Sequence, residues 1–320
     1  MSVLVSVVVP TCRRNELLRR CLAALAAQRM SPEQYEIVVA DDAANRDTRQ
    51  QVDDFAERCG AAVRYVAVGP RHGPAAARNC GWRTARGEII AFTDDDCIPQ
   101  PDWLQRGVEA LVEADAAAGR VFVPLPPTPT DYERDCAGLA RGEFVTASCF
   151  CRRGALEAVG GFDERFTAAW REDSDLQFSL LEQGFRIAAA PQAVVVHPVR
   201  PAPWGISLAQ QRKACFNTLL YKKHRLLYRQ RIARKPPSYY AIGASLLGCV
   251  VAASAGAHLA AAACAGLWGL LTGRFCAVRL RDTSRAPRHI AEMIVTSALI
   301  PPLSLYWHLR GLVRHRVLFR

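Results

Sequence analysis

Three consecutive carboxylates, Asp94-Asp95-Asp96, follow the apolar run that ends at Phe92 and Thr93. Adjacent carboxylates repel one another unless a cation or hydrogen-bond donors neutralise them. Hard divalent cations such as Mg2+ or Mn2+ take oxygen ligands and bridge to diphosphates, so the chemistry indicated is a metal–nucleotide site. A second acidic pair, Asp41-Asp42, ends the run Glu36 to Ala40. It either meets a ligand or closes its own loop as an Asx turn. An acidic loop on its own is most often only solvated, so the elements that carry these residues decide how they are read.

Those elements alternate. Val3 to Val9 is a β-branched run stopped by Pro10, the pattern of a strand buried on both faces of a parallel sheet. Asn15 can cap a helix whose apolar positions Leu17, Leu18, Cys21, Leu22 and Leu25 fall at helical spacing. Glu36 to Ala40 reads as a second strand, Thr48 to Cys59 as a polar helix and Val63 to Val68 as a third strand. Gly73-Pro74 opens another helix before a fourth strand over Glu88 to Phe92. The class is therefore α/β, with a mainly parallel sheet and helices on both faces. Ligands bind beyond the carboxyl ends of strands in such sheets, where both acidic sequences fall. Further on, Gly160-Gly161-Phe162-Asp163-Glu164 signals a turn, Asp173 to Gln183 a helix and Ala193 to Val196 a strand.

Charge divides the chain. The total of +11 is the sum of −5 over residues 1–205 and +16 over 206–320, where 18 Lys/Arg face only Asp282 and Glu292. Residues 206–240 form a basic amphipathic segment that includes Arg212, Lys213, Lys222, Lys223, Arg225, Arg229, Arg231, Arg234 and Lys235. Ala241 to Thr272 contains no Asp, Glu, Lys or Arg. At about 20 residues per bilayer crossing it is long for one helix and short for two. Ile290 to Trp307 is a second apolar stretch, carrying Glu292 and broken by Pro301-Pro302. Cationic flanks on both sides of both stretches favour hairpins or interfacial helices with their flanks on the cytoplasmic side. The alternative is a soluble Ala-rich helical region. The expected organisation is a catalytic domain over 1–205, the basic segment 206–240 and a hydrophobic helical membrane region over 241–320. The 12 cysteines include no Cys-x-x-Cys pair, which points away from a disulfide framework or a zinc site and toward a reducing compartment. The first residues, Met-Ser-Val-Leu-Val, read as a strand and not a signal peptide.

Five ordered pieces resemble family 2 glycosyltransferases of the GT-A fold: Val5-Ser6-Val7-Val8-Val9-Pro10-Thr11; Val38-Val39-Ala40-Asp41-Asp42; Gly73-Pro74-Ala75-Ala76-Ala77-Arg78-Asn79 with Gly87 to Asp96; Gly160 to Phe166; and Arg171-Glu172-Asp173-Ser174-Asp175-Leu176. The resemblance covers about residues 3–200. It implies a nucleotide-sugar donor, usually UDP-linked, and a Mn2+ or Mg2+ cofactor. Pro10 and Thr11 would line the nucleotide pocket, and Asp41 or Asp42 would hold the nucleobase. Arg78 and Asn79 would contact the nucleotide or brace the acidic loop. Asp94 and Asp95 would reach the ribose and the metal shell, with Asp96 the principal metal ligand and His197 a further contact.

On the acceptor side the same resemblance makes Asp173 the base of an inverting transfer, with Glu172 beside it orienting the acceptor; the other reading is an acidic first turn favourable to the helix dipole. Gly161 and Asp163 would shape the acceptor loop. Ala43-Ala44 replace the Gly-Ser that often follows the paired Asp, so that loop departs from the family. The Gln-x-x-Arg-Trp sequence of processive synthases is absent, and Gln210-Gln211-Arg212-Lys213 lacks its Trp, which favours addition of a single sugar. The acceptor expected is a lipid, a lipid-linked glycan or another cell-envelope glycan at the cell membrane, with the catalytic domain in the cytoplasm. A nucleotidyltransferase is the competing enzyme class, but Pro10-Thr11-Cys12-Arg13-Arg14 has no Gly for a phosphate loop. A non-catalytic basic protein binding membrane or nucleic acid is the other alternative. Nucleic acid is not the expected partner, because the cationic residues alternate with charge-free apolar segments.

Overall fold

A computed structural model describes residues 3–233 and 236–317. Arg234, Lys235 and Arg320 of the basic runs lie outside the described residues. The chain forms two compact units, one of residues 1–124 and 137–199 and the other of residues 125–136 and 200–320. The first therefore ends a few residues before position 205, and a short internal segment belongs to the second.

The first unit is built on one sheet. Its strands are β1 (Val5–Thr11), β2 (Tyr35–Asp41), β3 (Ala62–Ala67), β4 (Ile89–Phe92), β5 (Ile98–Pro99), β6 (Ala116–Phe122), β7 (Cys149–Arg152) and β8 (Ile187–Val196). Their order is β3-β2-β1-β4-β7-β6-β8-β5. The four strands β1 to β4 pair in parallel, as their apolar, β-branched sequences require. Beyond β4 the sheet is mixed: β7 runs antiparallel to β4 and β6, β8 parallel to β6, and β5 antiparallel to β8.

Helices cover both faces. On one, Val5, Val7 and Val9 of β1 pack with Leu18 and Leu22 of α1 (Asn15–Ala26) and Val52 of α2 (Arg46–Ala56). On the other, Val8 and Val38 meet Ala75 and Trp82 of α3 (Pro74–Thr84). Alternation along each strand sends neighbouring side chains to opposite faces, so each helix has its own row of valines. A Cβ on Gly81 would lie 2.4 Å from Val8 Cγ1, so the missing side chain lets α3 approach β1 closely. The first unit also holds α4 (Trp103–Glu109), α6 (Arg153–Val159) and α7 (Glu172–Glu182), whereas α5 (Asp131–Ala137) belongs, but for its last residue, to the second.

Local capping differs from expectation. Asn15 does not cap α1: Arg14 occupies that position without a side-chain bond, and Asn15 Oδ1 accepts instead from Thr48 Oγ1. The capping asparagine is Asn45, whose side chain accepts from Asp47 N and Thr48 N at the start of α2.

The second unit is helical: α8 (Ile206–Gln210), α9 (Ala214–Lys223), α10 (Arg225–Arg231), α11 (Pro237–Ser254), α12 (His258–Leu280) and α13 (Pro287–His315). The charge-free stretch resolves into the α11–α12 hairpin, which pairs Tyr239 with Phe275 and places Gly248 against Cys264. Helices α11, α12 and α13 are each long and apolar enough to cross a membrane. The second apolar stretch is not broken at Pro301-Pro302, because α13 continues through both. Apolar helices of this kind tolerate an internal proline when neighbouring groups satisfy the freed carbonyls. The buried Arg279 near the end of α12 donates to Asp131 Oδ2 at 2.7 Å, to Thr296 Oγ1 at 2.7 Å and to Ser297 Oγ at 3.0 Å. Glu292 accepts from Gly205 N at 2.8 Å. Charges on apolar helices persist when partnered in this way.

Candidate active site

The site lies at the carboxyl ends of β1, β2 and β4 and the amino end of α7. The acidic triplet leaves β4 in a tight turn, in which Cys97 N donates to Asp94 O at 3.1 Å. The turn sends the three carboxylates to different partners. Asp94 Oδ1 accepts from Arg78 Nη2 at 2.7 Å. Asp95 is buried and accepts from Thr11 Oγ1 at 2.7 Å and Arg14 Nη1 at 3.0 Å. Asp96 Oδ1 lies 3.4 Å from His197 Nε2. Burial opposes ionisation of Asp94, but Arg78, His197 and Arg14 outweigh it and hold the carboxyl below its usual value. For Asp95 burial wins over Arg14 and Thr11, and the value rises.

One donor atom each from Asp94, Asp96, Cys97 and His197 lie within 4.8 Å of one another. Carboxylate oxygens, an imidazole nitrogen and a sulfur at that separation fit a divalent transition metal. The residues present therefore suit the metal that the sequence implied.

Arg78 on α3 joins this cluster to the opposite side of the site. It is 2% exposed, and besides Asp94 it donates to Glu172 Oε1 at 3.1 Å. Burial works against its charge, but Asp94 and Glu172 hold it ionised. Glu172 opens α7 and is 3% exposed, with Oε2 buried and unpartnered among the described residues. Burial drives its pKa up to about 7 against the pull of Arg78, and the adjacent Asp173 pushes in the same direction. Asp173 is less buried, accepts from Ser174 N at 2.6 Å, and is also raised, chiefly by burial. The residue before them, Arg171, has a left-handed backbone (φ +76°) unusual for a non-glycine, and its guanidinium lies 4.8 Å over the Trp170 ring.

Other sequence-expected residues have separate surroundings. The fully buried Asp41 closes its own loop, accepting from Ala43 N at 3.0 Å, Asn45 N at 2.7 Å and Tyr65 Oη at 3.0 Å. Asp42 is the more open of the pair; it accepts from Gly73 N at 3.0 and 3.1 Å and sits 3.2 Å from His72 Nδ1. Pro10 and Thr11 end β1, both buried. Asn79 uses both ends of its amide inside the protein: Nδ2 donates to Phe162 O and Glu164 Oε1, and Oδ1 accepts from Phe162 N and Trp82 Nε1. It clamps the glycine turn onto α3. Gly161 there has φ +74°, and a Cβ would lie 2.6 Å from Asn79 Oδ1. Asp163 accepts from Arg165 N at 3.0 Å and pairs with its guanidinium, shaping the same turn.

Sequence reasoning missed Arg14, Tyr65 and Cys97 as members of this neighbourhood. Arg14 and Cys97 immediately adjoin motifs already singled out, so proximity was a usable signal. Tyr65 had none, because it reaches Asp41 only through the β2–β3 pairing.

A half-parallel, half-mixed sheet with acidic groups at its carboxyl edge and helices on both faces resembles the GT-A fold. Comparison with known proteins agrees. The profile for "Glycosyl transferase family 2" matches residues 6–160, and that for "Glycosyl transferase family group 2" matches residues 131–307. Glycosyltransferase AglE of Haloferax volcanii is 27% identical over 62% of this chain and 67% of its own length. Validoxylamine A glucosyltransferase of Streptomyces hygroscopicus subsp. limoneus is 28% identical over 73% of this chain but only 57% of its own. The pre-mycofactocin glycosyltransferase of Mycobacterium tuberculosis is 30% identical over 61% of this chain and 43% of its own. Among solved structures, a mannosyltransferase of Pyrobaculum calidifontis, in complex with GDP-Man and Mn2+, shares the fold with TM-score 0.57 and 21% identity, over 98% of this chain and 86% of that one. The chain belongs to glycosyltransferase family 2, and its activity is glycosyl transfer from a nucleotide-sugar donor.

Proposed function

We propose that the protein moves a single sugar, with inversion, from a nucleoside diphosphate donor to a hydroxyl of a lipid or lipid-linked glycan acceptor at the cell membrane. The observation that carries this reading is the buried Arg78, which holds Asp94 on the donor side and Glu172 on the acceptor side of one site. Asp94, Asp96 and His197 would hold Mn2+ or Mg2+, which when bound supplies positive charge against the departing diphosphate. Thr11 and Arg14 keep Asp95 fixed beside these residues, and Asp42 offers the more accessible carboxylate for the nucleobase.

Asp173 takes the proton from the acceptor hydroxyl. Its carboxyl is raised by burial, which brings a carboxylate base closer to neutral pH and makes it a stronger proton acceptor. Ser174 N fixes one of its oxygens. Glu172, anchored by Arg78, holds the start of α7 so that Asp173 faces the reacting hydroxyl. The three apolar helices support attachment to a membrane, and the cationic residues around them support a cytoplasmic catalytic unit.

A nucleotide-sugar panel tests the reading directly. The full chain in detergent is warmed with UDP-sugars, with GDP-mannose (the donor in the Pyrobaculum structure) and with Mn2+ or Mg2+, and the preferred donor raises the melting temperature. That donor, with membrane lipid extract, should then give a glycolipid and free nucleoside diphosphate. Transfer confined to small water-soluble acceptors would overturn the lipid-acceptor reading.

A further inference from the structure

The metal cluster contains a residue that the oxygen chemistry of an acidic triplet does not call for. Cys97 is fully buried, and its sulfur makes no hydrogen bond among the described residues. The nearby Cys21, by contrast, directs its thiol at Asp94 O, 3.5 Å away. Two backbone features aim Cys97 at the cluster. The turn bond from Cys97 N to Asp94 O folds the residue back over the triplet. The short antiparallel ladder of β5 on β8, with Ile98 opposite Val196, then brings Cys97 opposite His197. His197 is itself pinned where it leaves β8, its N donating to Phe122 O at 2.8 Å.

We propose that Cys97 is a sulfur ligand of the ion that Asp94, Asp96 and His197 hold, giving a mixed oxygen–nitrogen–sulfur site that selects a transition metal ion over Mg2+. This rests on the metal reading above and deepens it. Metal–donor bonds of about 2.0–2.3 Å place two donors on one ion no more than about 4.6 Å apart. Donor atoms within 4.8 Å of one another need only a slight contraction to close on it. Mg2+ demands near-octahedral oxygen ligation, which a buried sulfur cannot supply. Co2+ and Zn2+ accept imidazole and sulfur beside carboxylate. Asp95 stays outside the set because Thr11 and Arg14 hold it.

Cobalt reads the sulfur directly. The full-length protein in detergent is titrated with Co2+ in the presence of UDP or GDP, and the near-ultraviolet sulfur-to-cobalt charge-transfer band is followed beside the visible bands. The proposal expects one equivalent of Co2+ to give the charge-transfer band and Zn2+, but not Mg2+, to displace it. Cys97→Ser should abolish the band and weaken Co2+ binding by at least the roughly 10- to 100-fold that loss of a metal site's outer-shell partner costs. Asp96→Asn should weaken the band and Cys21→Ser should leave it, which separates this site from the remaining thiols and serves if Cys97→Ser does not fold. Zn2+-displaceable Co2+ binding with visible bands but no charge-transfer band overturns the role of Cys97 and leaves the carboxylate–histidine site standing. Absence of any Co2+ or Mn2+ binding overturns the metal reading itself, and this proposal with it.

Discussion

Arg78 and Glu172 form a buried ion pair at 3.1 Å across 94 positions of sequence. Because the same guanidinium also holds Asp94, the sides of the site proposed for donor and acceptor share one cation. Removing it leaves two carboxylates facing a hole. Breaking a buried pair from one side costs about 3–5 kcal/mol. Arg78→Met should therefore destabilise the protein by that order in urea unfolding, and Arg78→Lys, which keeps the charge but not the two-pronged geometry, by less. Both should lower kcat by more than they raise the donor KM.

Asp173→Asn should remove most turnover while leaving donor binding largely intact, since it deletes the proposed proton acceptor and not the residues proposed to hold the nucleotide. Steady-state rates beside donor-induced thermal shifts separate the two effects. Full activity in this variant would sink the assignment of the base.

Glu172 titrates in the folded protein near 7 and at about 4.5 when unfolded. Its folded value is raised, so the stability it contributes is fully present below about 4.5 and is lost as pH rises through about 7. Urea midpoints measured from pH 4.5 to 8 should carry this falling contribution, and Glu172→Gln should flatten it. An identical pH dependence in the variant would show that Glu172 is not the buried acid described above.

Gly161→Ala should act through the glycine turn. The new Cβ enters both a left-handed backbone position and the Asn79 clamp, at a cost of order 1–3 kcal/mol. The acceptor KM should rise more than the donor KM, which progress curves at varied acceptor and fixed donor will show.

Washing membranes from expressing cells with alkaline carbonate should leave the full-length protein in the pellet, as expected for helices α11, α12 and α13 inserted in lipid. Arg279→Leu strands Asp131 and takes the donor from the Thr296 and Ser297 hydroxyls, and should lower the melting temperature in detergent by several degrees.

Much of this architecture was readable residue by residue. The parallel strands announced themselves as β-branched runs ending in Pro10, Asp41 and Phe92, and the acidic triplet fell at a strand end. Legibility failed where a side chain's fate depended on a distant partner. Nothing around Asp41 foretells that Tyr65 and two backbone amides will occupy it, and nothing around Asn79 foretells the turn it clamps. The position of Cys97 across from His197 depends on β5, a strand of only two residues, too short to leave a pattern. The continuation of α13 through Pro301 and Pro302 overrides a local propensity that favours a break.

The assignment of residues 125–136 to the helical unit also sets a timetable for the chain. Asp131 leaves the ribosome 148 positions ahead of Arg279, its partner. The strands β7 and β8 are made during that interval, so the sheet can close while this segment still waits for the helix that will hold it. Completion of the second unit then waits until α12 has been made. A gene cut at residue 205 would yield a protein with a finished sheet and a permanently stranded Asp131.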